Sequence, residues 1–240
     1  MVKRPPGPLT SLLNLSARDR MSLASVMIIR LLAVICMGLS LIVPARADAE
    51  GNPVVLVLGD SLSAGYGIAL EQGWVALLQA RIESQGLPHR VVNASISGDT
   101  TDGGLTRLPG LLARNQPALI IVELGANDGL RGFAPTQIER NLVDLVRQAQ
   151  AADANVVVAG VRLPPNYGAA YTEAFQRIFA AVAEQTDAAL VPRLLEGISE
   201  DRSLMQADEI HPTAAAQPKI LDNLWPVLFP LLEQTANRES

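Results

Sequence analysis

The chain has 240 residues, 49% of them hydrophobic and 18% charged, which excludes disordered, collagenous and low-complexity classes. Its formal net charge of −5 leaves no basic footprint of the kind nucleic acid requires. The one cysteine, Cys36, lies inside an apolar leader, so a disulfide framework, a thiolate metal site and a cysteine nucleophile are all excluded from the part that folds.

In chain order, the leader comes first. Arg30 precedes an apolar run over 31–43, followed by Pro44 and Ala45-Arg46-Ala47. A positive region, a short apolar core and a small-x-small site describe a secretory signal peptide cleaved after Ala47. The run is short for a bilayer span. The basic stretch before it points to Met21 or Met27 as the start, and Ile35 is too large to precede a lipoprotein cysteine. The expected organisation is a signal peptide with a basic leader over 1–47 and a single domain over 48–240, periplasmic or secreted. The leader takes six of the 19 basic residues and one of the 24 acidic ones, leaving 13 against 23, a net charge of −10. That charge favours solubility, and no stable membrane insertion is expected after cleavage.

Residues 54–58 read as a buried strand and 72–85 as a helix with Trp74, Leu77, Leu78 and Ile82 near one face. A short strand follows over 90–93, then a helix capped by Thr101 or Asp102 and running to about 114. The third strand is 118–123, the next helix is capped by Thr136 and runs to about 152, and the fourth strand is 155–160. A helix over 171–185, a fifth strand over 189–191 and a final helix over 213–232, kinked at Pro218 and Pro226, complete the chain. Strands apolar on both faces, alternating with helices, predict an α/β class with a parallel sheet covered on both sides.

In such a sheet the strand ends face one way, so polar segments far apart in the chain converge on one rim. Ser61 follows the first strand in Gly59-Asp60-Ser61-Leu62, Gly98 follows the second and Asn127 the third, while Asp208 and His211 precede the last helix. A serine hydroxyl is a weak nucleophile until a base takes its proton, and histidine is the usual base near neutral pH. His89 reads as a surface loop residue at the amino end of the second strand, leaving His211 as the base, with Asp208 three residues earlier to orient it. Alone, Asp208 and His211 could instead cap the last helix, and Gly98 and Asn127 are ordinary turn residues. With Ser61 present, the backbone N–H groups of Ser61 and Gly98 and the Asn127 amide form a candidate oxyanion hole. Asp60 and Asp128 are expected to hold turns.

The spacing is not that of a Gly-x-Ser-x-Gly elbow, because Ser63 stands at its second glycine. It resembles the SGNH or GDSL hydrolases, within them the bacterial periplasmic thioesterase I, lysophospholipase L1 and arylesterase group. Four blocks carry the resemblance, in order: Gly59-Asp60-Ser61-Leu62-Ser63, Gly98, Gly125-Ala126-Asn127-Asp128 and Asp208-Glu209-Ile210-His211-Pro212. The resemblance implies a three-layer α/β/α, five-stranded, flavodoxin-like SGNH hydrolase fold. It implies nucleophile Ser61, base His211, carboxylate Asp208, an oxyanion hole of Ser61, Gly98 and Asn127, and no metal or organic cofactor. It also implies that the loop over 129–133 moves across the acyl chain and that 164–167 borders the site. Ala126 and Glu209 each replace a glycine common in this group. Glu209, next to His211, is expected to raise the apparent pKa of the imidazole.

The candidate substrate walls are Leu62, Leu130, Phe133, Leu163, Pro164 and Tyr167, although each could instead be loop-packing core. Apolar walls favour an acyl chain, so the expected substrate is a small-molecule acyl ester or thioester, cleaved through an acyl-enzyme by a monomer. A carbohydrate O-deacetylase of the same fold and a non-catalytic flavodoxin-like binding module are the competing readings. The second is weakened because Gly65-Tyr66-Gly67 lacks the lysine of a phosphate-binding loop.

Overall fold

Val54–Gly59 forms β1, and all six of its residues are buried. A strand without polar alternation needs apolar cover on both faces, which requires layers above and below it. This computed structural model describes residues 51–237; the signal peptide expected over 1–47 lies outside the described residues. β2 (Arg90–Asn93), β3 (Leu119–Glu123), β4 (Asn155–Ala159) and β5 (Ala189–Val191) join β1 in one sheet of order β2-β1-β3-β4-β5. Every neighbouring pair is parallel, and the register sets Gly59 opposite Glu123.

The α-helices among the described residues are α1 (Ser61–Ala64), α2 (Trp74–Ser84), α3 (Thr101–Asn115), α4 (Ala126–Leu130), α5 (Pro135–Gln150), α6 (Ala169–Thr186) and α7 (Gln217–Ala236). α2 packs on α7 on one side of the sheet; α3 packs on α5 and α5 on α6 on the other. The stripe of Ile138, Leu142, Leu145 and Ala149 on α5 follows helical spacing and is buried. Phe175 and Phe179 meet edge-on with ring centroids 5.4 Å apart. The three-layer α/β/α architecture with a five-stranded parallel sheet is thus the one expected.

The differences are local and have physical reasons. Thr100, not Thr101 or Asp102, caps α3, its hydroxyl accepting the Gly103 N–H at 3.2 Å. α5 begins at Pro135, whose fixed φ and missing N–H suit a first helical turn. α7 starts at Gln217 after a 3₁₀ turn over Ala214–Ala216, so Pro218 falls in its first turn, where it breaks no hydrogen bond. α7 also runs beyond residue 232 to Ala236, and this extra turn covers His89. His89 is only 2% exposed, with Nε2 2.8 Å from Thr235 Oγ1, so it is a core histidine and not a surface one.

The sheet order places the site. β1 has β2 on one side and β3 on the other, so the chain leaves these strands toward opposite faces. A crevice at the carboxyl ends follows, between β1 and β3. Ser61 stands at the first of these ends and Asn127 at the second.

Candidate active site

β1 runs straight into the Ser61 turn, and the local packing demands glycine just before it. A Cβ on Gly59 would lie 2.6 Å from Ser63 Oγ and 2.9 Å from Glu123 Oε2. Asp60 caps α1 by accepting the Leu62 N–H at 3.0 Å, which holds Ser61 at the first position of the helix. The hydroxyl of Ser61 lies 2.8 Å from His211 Nε2. His211 Nδ1 lies 2.7 Å from Asp208 Oδ2. Three side chains separated by up to 150 positions therefore form one chain of hydrogen bonds.

The Asp208 end explains the direction of that chain. Asp208 Oδ1 accepts the backbone N–H groups of Ile210 and His211, each at 3.0 Å. The backbone N–H of His211 above all, with the ring of the same residue and the Ile210 N–H, holds the Asp208 carboxyl down at about 2. An ionised carboxylate only accepts, so Nδ1 carries the imidazole proton and Nε2 is left to accept from Ser61. The segment itself is pinned by a Met205–Pro212 antiparallel bridge and by the Gln206 N–H on the His211 carbonyl at 2.7 Å. Gln206 Nε2 also donates to the carbonyls of Tyr66 at 2.8 Å and Pro212 at 2.9 Å, clipping the loop after α1 onto the histidine segment.

The donors expected for an oxyanion lie on neighbouring strand ends. Gly98 adopts φ 82, a left-handed conformation that favours glycine. Its carbonyl accepts from Arg131 Nη2 at 3.0 Å, tying the β2 loop to the end of α4. Asn127 Nδ2 gives one of its hydrogens to Asp60 Oδ2 at 3.0 Å, which leaves the other for a ligand. Asp60 therefore braces Asn127 as well as Ser61. Burial pushes its carboxyl up to about 6, against the pull of the Leu62 N–H, His211 and the Asn127 amide. Asp128 also holds a turn, accepting the Thr101 N–H at 3.0 Å and the Thr101 hydroxyl at 2.5 Å.

Of the expected walls, Leu62 and Leu163 are only 7% and 9% exposed and pack into the core, so they back the site from beneath. Leu130, Pro164 and Tyr167 are half-buried and Phe133 is exposed. The Tyr167 hydroxyl donates to the Leu130 carbonyl at 3.0 Å and that of Tyr171 to Phe133 at 2.7 Å, so the 164–167 and 129–133 segments are tied together. The exposed large apolar side chains of the described residues, Tyr66, Leu70, Ile96, Phe133 and Ile210, all belong to segments at this same rim.

Sequence reasoning passed over Tyr66, Gln206 and Glu123. The Tyr66 ring lies 4.5 Å from the His211 ring, and its position between Gly65 and Gly67 was the available signal. Glu123 was visible as the one charge ending an apolar strand. Burial, then the neighbouring Asp60, push its carboxyl well above the ordinary range.

Glu209 has a partner of its own beside the histidine segment. It sits at φ 57, and its carboxylate pairs with exposed Arg202 at 3.1 Å. Left-handed backbone costs an ordinary residue roughly 1–2 kcal/mol, while glycine gives back about 0.5–1 kcal/mol through its freer unfolded chain. Glu209→Gly is expected to raise stability by about 0.5–1 kcal/mol in urea unfolding.

The chain is similar to known proteins along most of its length. The esterase TesA of Pseudomonas aeruginosa is 57% identical over 178 residues, covering 74% of this chain and 89% of that protein. The thioesterase 1/protease 1/lysophospholipase L1 of Escherichia coli K12 is 46% identical over 184 residues, covering 77% of this chain and 87% of that protein. The crystal structure of the psychrotrophic esterase EstA from Pseudoalteromonas sp., inhibited by monoethylphosphonate, superposes with a TM-score of 0.72 at 40% identity, covering 76% of this chain and all of that one. Residues 57–217, which hold every one of the catalytic candidates above, match the family whose blocks the chain displays. By sequence, fold and the order of its motifs, this chain belongs to the GDSL-like lipase/acylhydrolase family.

Proposed function

We propose that this chain hydrolyses carboxylic esters and thioesters of acyl chains through a covalent acyl-enzyme on Ser61. The observation that carries this reading is the hydrogen-bond chain Ser61–His211–Asp208, at 2.8 and 2.7 Å. Ser61 Oγ attacks the acyl carbon as its proton passes to His211 Nε2. Asp208 stabilises the imidazolium, and the oxyanion accepts from the N–H groups of Ser61 and Gly98 and from Asn127 Nδ2. Collapse breaks the bond to the leaving oxygen or sulfur, which takes the proton back from His211. A water molecule then repeats the sequence on the acyl-enzyme, giving the carboxylic acid and free Ser61.

The apolar rim supports an acyl chain as the group recognised, with Leu130, Phe133, Pro164 and Tyr167 at its surface and Leu62 and Leu163 behind them. All the proposed groups come from one chain, which supports a working monomer. No helix of the described residues is long and apolar enough to cross a membrane, and the leader supports export to the periplasm or medium.

An ester panel of rising acyl length tests the reading on wild type and Ser61→Ala. Hydrolysis of long as well as short acyl esters and thioesters, lost in the variant, is expected. Release of acetate alone from acetylated glycans would replace the reading with a deacetylase. Asn127→Ala removes one donor and should lower kcat by about 10²–10³ with a far smaller change in KM, read from saturation curves on one ester.

A further inference from the structure

Glu123 ends β3 directly under the Ser61 turn and is fully buried. Its Oε2 accepts the Ser63 hydroxyl at 2.6 Å and the Asp60 N–H at 3.4 Å. Oε1 has no partner among the described residues, and none of the lysines or arginines among them forms an ion pair with Glu123. The fold makes room for this side chain, since the Gly59 opposite it has no space for a Cβ. A fully buried, unpaired carboxylate would forfeit several kcal/mol of hydration, and a group in that position takes a proton instead. A second negative charge there would also oppose the oxyanion forming above it.

We propose that Glu123 is a positioning residue, a neutral carboxylic acid that braces the nucleophile turn by accepting from Ser63 and Asp60 on either side of Ser61. The inference rests on the acyl-enzyme reading above and adds a residue to it. Asp60 and Ser63 flank Ser61 directly, so releasing both lets the hydroxyl drift from His211 and from the donors. A displacement near 1 Å is worth up to about 10² in rate. Asp60 in turn holds Asn127, so the same brace reaches the side-chain oxyanion donor.

Glu123→Gln keeps an acceptor in a neutral group of the same shape, whereas Glu123→Ala removes it. The glutamine variant is expected to stay close to wild type in kcat, and the alanine variant to fall by up to about 10²-fold in kcat with KM nearly unchanged. Ser63→Ala, a milder change, keeps the test open if Glu123→Ala does not fold, and should lower kcat in the same direction. The infrared difference between wild type and Glu123→Gln at pH 8 should contain the C=O stretch of a protonated carboxyl. A glutamine variant as damaged as the alanine one, wild-type kcat in both Glu123→Ala and Ser63→Ala, or a carboxylate band at pH 8 would overturn the proposal. Activity surviving in Ser61→Ala would instead remove the acyl-enzyme reading and leave the infrared result standing, so the two failures are distinguishable.

Discussion

Ser61→Ala is expected to lower kcat by on the order of 10⁵ to 10⁶, with the fold intact. Among the described residues the Ser61 hydroxyl is the only group hydrogen-bonded to His211 Nε2, at 2.8 Å, and alanine leaves the imidazole nothing to deprotonate. The loss should not compound. Nucleophile and base act in one proton transfer, so His211→Ala should fall about as far, and the double variant hardly farther than either single one. Urea unfolding should separate loss of chemistry from loss of fold. Ser61 is only half-buried and lies outside the hydrophobic core, so the midpoint should move little. The check is a kcat comparison of the three variants on one ester, and additive losses would show that the two side chains work in separate steps.

The second large effect is Asp208→Asn, a drop of about 10³–10⁴ in kcat. The direction follows from atoms outside the triad. Two backbone N–H groups, of Ile210 and His211, point at Oδ1 and need an acceptor there. An asparagine must therefore keep its carbonyl oxygen at that place and turn its NH₂ toward His211 Nδ1. A donor facing Nδ1 makes that nitrogen an acceptor and moves the imidazole proton to Nε2, opposite Ser61, where no base remains. Asp208→Asn should for this reason be no better than Asp208→Ala, although it preserves the shape of the side chain. The pH profile carries a related expectation. With the Asp208 carboxyl held at about 2, its charge is present at ordinary pH and is lost only as pH falls through that value.

Much of this was legible in the residues, and what was missed follows a pattern. β1, β3 and β4 announced themselves as continuous apolar runs, and the burial of all of β1 and β3 is the physical counterpart of that signal. The motif residues at the ends of those strands could be placed on a common rim because parallel strands end on one side. The short helices α1 and α4 escaped, since four or five residues are too few to show a helical period. His89 was misplaced because the turn that buries it comes from α7, 146 positions away. The Glu209–Arg202 pair was out of reach for another reason. Its neighbour His211 was close in sequence, but the carboxylate of a residue at φ 57 turned onto Arg202. Pairings between side chains distant in the chain, such as Gln206 with the Tyr66 carbonyl or Glu123 with Ser63, have no periodic or compositional trace.

The central claim is an activated hydroxyl at position 61, and covalent capture reads it directly. An organophosphonate ester bearing a good leaving group mimics the attacked acyl carbon and stays on the nucleophile. Incubation of the full chain with such a probe, followed by digestion and mass spectrometry, should give one adduct, on the peptide containing Ser61. It should be absent from Ser61→Ala and form far more slowly in His211→Ala. An enzyme that turns over esters at full rate while its Ser61 peptide remains unlabelled, or with the adduct on another residue, would contradict the account.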